Sequence, residues 1–117
     1  MDEKKKFEVR EILIKMFDVK HENIVFMSSR KKKNIEARKF YNYYLYKYKG
    51  ITHNQMKKHI YGMHHATSIY FKNKIEFEFK IYPEILNDWN TFLFFADHEV
   101  WSEQETIKKF REEYINN

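Results

Sequence analysis

Only two glycines and one proline interrupt this chain of 117 residues, and that scarcity constrains the fold more than any other feature. Hairpin-rich all-β domains need turn residues at short intervals, whereas Gly50, Gly62 and Pro83 are the only strong punctuators here. The chain is therefore expected to be all-α, a small helical bundle, with a length that suits a single hydrophobic core. The same scarcity removes glycine-rich phosphate loops. No strand followed by G-x-x-x-x-G-K-S/T occurs, which excludes a nucleotide-driven motor.

Apolar spacing places the helices. Phe7, Ile12, Leu13, Met16 and Phe17 recur with helical period over Glu3 to Phe17, and Asp18 to Glu22 breaks that pattern. A short apolar turn, Ile24 to Met27, leads into the basic connector Ser28-Ser29-Arg30-Lys31-Lys32-Lys33-Asn34. A long aromatic helix follows from Ile35 to Tyr48, with Ala37, Phe40, Tyr41, Tyr44, Leu45 and Tyr48 on one broad face. Gly50 suits the left-handed residue that ends a helix, and Thr52 with Gln55 reads as a capping box for a short helix, His53 to Ile60. After the turn Tyr61-Gly62-Met63 another helix is expected from His64 towards Phe79. Two helices about a glycine-containing turn are the mark of a helix-turn-helix unit. Pro83 should open a further helix through Leu93, and Ser102 with Glu105 should cap a last one from Glu103 to Tyr114.

Cysteine is absent, so neither disulfides nor thiolate metal sites are available, in keeping with a reducing compartment. No apolar run of about 18 residues could span a bilayer. The start, Met1 to Lys6, is charged and lacks the apolar stretch of a secretory signal. On these grounds the chain is read as cytoplasmic, with no membrane partner.

The net charge of +5 conceals a sharp segregation. Residues 1–18 hold five basic and five acidic side chains, residues 19–74 hold thirteen and two, and residues 75–117 hold four and ten. A middle segment of +11 is the electrostatic footprint of a polyanion-binding surface, and the tail of −6 faces something else. AT-rich coding would raise Lys, Asn, Ile, Tyr and Phe together, but it accounts less well for the loss of acidic residues.

From Val9 to Phe92 the sequence resembles the C-terminal DNA-binding domain of the bacterial chromosomal replication initiator, DnaA. The resemblance lies in the segment Phe17-Asp18-Val19-Lys20-His21-Glu22-Asn23-Ile24, the basic loop, the long helix, and the run Gly62-Met63-His64-His65-Ala66-Thr67-Ser68-Ile69 that ends at Lys74-Ile75. His65 and Thr67 keep the family's residues, whereas Tyr61, Met63, His64 and Ala66 replace a glycine, a basic residue, an acid and a threonine. The resemblance implies a recognition helix in the major groove of double-stranded DNA, carrying His64, His65, Ala66 and Thr67 in its first turn. It implies that Arg30 enters an AT-rich minor groove, where narrow width concentrates negative potential. Lys31 and Lys32 share the basic loop, Arg38 and Lys39 match positions near the start of the long helix that contact phosphate, and Thr52 opens the helix-turn-helix. It brings no ATPase domain, and the role it implies is replication or transcription control.

The same residues also suit plainer roles. The aromatic run Phe40 to Tyr48 suits a core, and Arg30 to Lys33 taken alone suits a solvated loop. His53, His59, His64 and His65 lack the carboxylate or cysteine that would complete a usual metal set, and no H-E-x-x-H pattern is present. No nucleophile motif accompanies the histidines, so neither catalysis nor a cofactor is expected. Residues 1–92 are taken as the DNA-binding domain and 93–117 as an acidic, aromatic helical extension. The alternative function is a protein-interaction or homodimerisation module that binds its partner through that tail.

Overall fold

The computed structural model describes residues 8–97, which form five α-helices and no strand: α1 (Val9–Phe17), α2 (His21–Val25), α3 (Lys32–Tyr48), α4 (His65–Ile81) and α5 (Pro83–Asp97). The all-α expectation holds for these residues. None of the described helices is long and apolar enough to cross a membrane.

The long aromatic helix, α3, is the hub, packed against α1, α2 and α4. Residues 37–45 are buried at every position, so this helix is enclosed all round rather than on one stripe. Its rings carry the core across to α5. Phe40 and Tyr43 lie 5.3 and 5.2 Å from the Trp89 ring, and Tyr44 lies 5.4 Å from Phe92 in an edge-on pair. Phe17 of α1 meets Phe40 edge-on at 4.9 Å. Edge-on and tilted arrangements of this kind let a ring's positive rim face its neighbour's negative face, which adds to the gain from burial.

Helix ends follow local chemistry. The carboxylate of Glu8 accepts from the Arg10 and Glu11 backbone N–H groups at the start of α1, and Asp18 ends it in the left-handed conformation with φ 55°. Gly50 takes φ 69° after α3, as expected, and Pro83 is the first residue of α5.

Several boundaries differ from the sequence reading. Residues 21–25, which span the end of the expected break at 18–22 and the start of the expected apolar turn at 24–27, form α2, because Val19, Ile24 and Val25 bury into the core and tertiary contact stabilises a helix too short to display a period. The helix α3 starts three residues early, at Lys32. The expected helix from His53 to Ile60 is only a turn followed by one 3-10 turn, Met56–Lys58. Its capping box does form: Gln55 N–H donates to Thr52 Oγ1, and Thr52 N–H donates to Gln55 Oε1, both at 3.2 Å. The helix does not propagate because so short a segment gains little from propagation, and His53 is held sideways by contacts with α3 and α4. The helix α5 continues to Asp97, so the boundary expected at 92/93 falls within it, and Phe94 and Ala96 are buried. The expected Ser102–Glu105 cap, the helix 103–114 and residues 3–7 of the first helix lie outside the described residues.

Candidate nucleic-acid interface

A single parallel bridge organises the basic loop and the start of α4. Tyr61 N–H donates to the Val25 carbonyl at 2.6 Å, and Met27 N–H donates to the Tyr61 carbonyl at 3.2 Å, pairing Phe26 with Tyr61. Because the two segments run parallel, both leave the bridge in the same direction. One continues through Ser28 and Ser29 into Arg30, and the other turns at Gly62 into His64 and His65. Gly62 adopts φ 88°, which only glycine takes without strain, and its α-carbon faces Met27.

The loop is held from beneath by a polar stripe on α3. Asn34, Arg38 and Asn42, spaced i, i+4 and i+8, are all buried. Asn34 Nδ2 donates to Ser29 Oγ at 2.6 Å. The guanidinium of Arg38, only 2% exposed, donates to the carbonyls of Asn23 at 2.8 Å and Phe26 at 3.0 Å, and also to that of Ser29. Burial pushes its pKa below the ordinary arginine value. Asn42 secures α4 instead: its Nδ2 donates to the Ser68 carbonyl at 3.1 Å, and its Oδ1 accepts from the Ser68 hydroxyl at 2.7 Å.

Arg38 and Lys39 therefore require correction as phosphate contacts, because both are turned inward. Lys39 is 3% exposed, bonded to Glu36 Oε2 at 2.9 Å and 2.8 Å from Glu78 Oε1, an ion pair rather than an aligned hydrogen bond. Burial alone would lower its pKa, but Glu78 and Glu36 outweigh it and hold the ammonium above the ordinary lysine value. An ion triad of this kind ties α3 to α4 and leaves little charge for a ligand.

The remaining expected residues divide cleanly. Arg30, Lys31 and Lys32 are exposed, as is Lys33, whose Nζ lies 3.6 Å from Asp18 Oδ2. His64, His65 and Ala66 are exposed at the start of α4, and Thr67 is half-buried. His64 is also the N-cap: its Nδ1 accepts from Ala66 N–H at 3.1 Å, which leaves Nε2 as its outward polar atom. The rings of His64 and His65 lie 4.3 Å apart. Thr52 is exposed, with its hydroxyl engaged in the capping box.

His53, expected at the start of a short helix and without the partners of a metal ligand, has a structural role. Its ring stacks on Tyr46 at 4.3 Å and 14°, and its Nδ1 lies 2.7 Å from Ser68 Oγ. Since the Ser68 hydroxyl donates to Asn42, it accepts here, and Nδ1 carries the proton. Burial, with the charges of Lys72 and His65, holds the His53 pKa below the ordinary histidine value. The network Asn42–Ser68–His53 thus fixes the first turn of α4 against α3. Among the described residues no three His, Asp or Glu side chains converge on a metal-sized site.

Sequence reasoning missed Phe26, Tyr61 and the polar stripe. Asn34, Arg38 and Asn42 were legible as polar groups at i+4 spacing beside an aromatic face, but the bridge between residues 26 and 61 leaves no local signal. Comparison of the chain with protein-family models, curated proteins and solved structures gives no match.

Proposed function

We propose that this chain binds double-stranded DNA in replication or transcription control, using α4 as the recognition helix of a DnaA-like helix-turn-helix in which the 3-10 turn Met56–Lys58 stands in place of the first helix. In this reading α4 presents His64, His65, Ala66 and Thr67 to base edges, while Arg30, with Lys31 and Lys32, engages the backbone and an adjacent minor groove. The observation that supports it is the parallel bridge, from which one segment leads into an exposed run of four cations and the other, past the turn at Gly62, into an exposed helix N-terminus. A helix N-terminus favours anions by its orphan N–H groups, and lysines and arginine add long-range attraction. The function is recognition rather than catalysis.

The test is duplex binding across a salt series, with AT-rich and random sequences. If about six phosphates are engaged, log K should fall against log salt with a slope near −5, at roughly −0.9 per phosphate. A slope shallower than about −2 would count against a groove-binding surface. Arg30→Ala should weaken AT-rich sites more than GC-rich ones, whereas Lys31→Ala should weaken both alike. Equal loss from Arg30→Ala would remove the minor-groove assignment.

One observation favours a second reading, an interaction module. Ile69, Phe77 and Ile81 lie at i, i+8 and i+12 on α4 and are exposed, an apolar row on the helix's outer face that Asn73 interrupts at i+4. Light scattering of Phe77→Lys beside the unaltered chain separates the two: loss of a dimer with DNA affinity unchanged would assign that row to protein contact.

A further inference from the structure

The two residues that form the bridge are themselves aromatic and outward-facing. Phe26 is 44% exposed and Tyr61 is 53% exposed, with ring centroids 5.3 Å apart and planes inclined by 37°. Their backbone is held on every side: by the two bridge hydrogen bonds, and by Arg38, which donates to the Phe26 carbonyl at 3.0 Å. Large rings on a fixed backbone lose little conformational freedom when something packs on them. The stretches beside the two rings are cationic, with Glu22 before Phe26 and Asp18 beside Lys33 as the neighbouring acids. Residues 28–35 contain Arg30 to Lys33, residues 57–66 contain Lys57 and Lys58, and neither stretch holds an aspartate or glutamate.

We propose that the Phe26–Tyr61 pair is a stacking platform for unpaired bases, so that this face takes single-stranded nucleic acid, or the melted end of a duplex, as well as paired DNA. The inference rests on the nucleic-acid reading above and specifies which form of the polymer the site accepts. A single strand offers flat apolar bases and phosphates together, and this part of the chain offers two exposed rings and a run of cations. A purely apolar protein partner would use the rings and leave Arg30, Lys31 and Lys32 without a counterpart. An intact duplex keeps its base faces inside the stack, so the rings can stack only on bases that have left it.

The experiment uses the full chain and fluorescence anisotropy with three probes: a short oligothymidylate, an abasic strand of equal length, and a duplex. The unaltered protein should bind oligothymidylate about five- to a hundredfold more tightly than the abasic strand, the range expected for stacking of one base. Phe26→Ala and Tyr61→Ala should abolish that difference while abasic binding is unchanged, and Tyr61→Phe should retain it. Equal binding of the oligothymidylate and abasic strands by the unaltered protein overturns the proposal, as does a difference that survives both alanine variants. If circular dichroism shows an alanine variant to be unfolded, the comparison on the unaltered protein decides. Salt-dependent duplex binding without a base-dependent difference defeats the platform alone, whereas absence of binding to all three probes defeats the nucleic-acid reading beneath it.

Discussion

Replacing Arg38 by alanine removes a guanidinium that joins α3 to three carbonyls of the segment 23–29. A hydrogen bond from a charged donor is worth roughly 1.5 to 3 kcal/mol, so three of them sum to about 4.5 to 9 kcal/mol. Two effects reduce this figure. Asn23, Phe26 and Ser29 are at least partly exposed, which lets water replace the lost donor, and Arg38 Nε is buried without a partner, a penalty of about 1 to 3 kcal/mol that the substitution relieves. A net loss of about 3 to 5 kcal/mol remains, in line with breaking a buried charged network. At about 4 °C per kcal/mol for a domain of this size, the melting temperature should drop by roughly 12 to 20 °C. Thermal melts followed by circular dichroism measure this directly, and a drop under about 3 °C would refute the reasoning. Arg38→Lys distinguishes the structural role from the phosphate contact that the sequence suggested. A lysine could still meet a phosphate, but its single ammonium cannot reach three carbonyls. The variant should therefore melt well below the unaltered protein, while the salt slope of whatever DNA binding remains is unchanged. A preserved melting temperature with altered salt dependence would restore Arg38 to the DNA-contacting set.

Further outcomes follow from the same network. Lys39→Met should destabilise by about 3 to 5 kcal/mol in urea titration, because Glu78 becomes a buried charge without its partner, and adding Glu78→Leu should recover most of the loss; failure of the double variant to recover would mean the triad matters for packing alone. His53 is held below its ordinary pKa, so the folded state binds fewer protons than the unfolded one, and its contribution is complete above about pH 6.5 and declines as pH falls through that value. His53→Gln should flatten the fall in urea midpoint between about pH 7 and 5, and an identical fall in both proteins would remove His53 from the account. His65→Ala should lower affinity for a preferred duplex by about 1 to 3 kcal/mol with little effect on random DNA or melting temperature; a joint loss of stability and of all binding would make His65 a packing residue.

Local sequence settles the class of fold and three of its turning points. Two glycines, one proline and an aromatic run at helical spacing leave few alternatives to a helical bundle, and Gly50, Gly62 and Pro83 mark real ends because their backbone preferences act locally. The exposed cations of the loop and the first turn of α4 were legible for the same reason: charge and capping depend on neighbours in the chain. Tertiary structure decided the rest. Asp18, Val19 and Lys20 separate α1 from a helix of five residues that only burial sustains, and the capping box at Thr52 forms without the helix it announces. Arg38 and Lys39 look like surface cations in a basic sequence, yet carbonyls 9 to 15 residues away and Glu78 on another helix draw them inward. The bridge that brings residue 26 beside residue 61 depends on backbone groups that every residue possesses, so no side-chain pattern encodes it. Packing of α2 and α4 against α3 determines which of those groups meet, and with them which face of the molecule carries both the loop and the helix start.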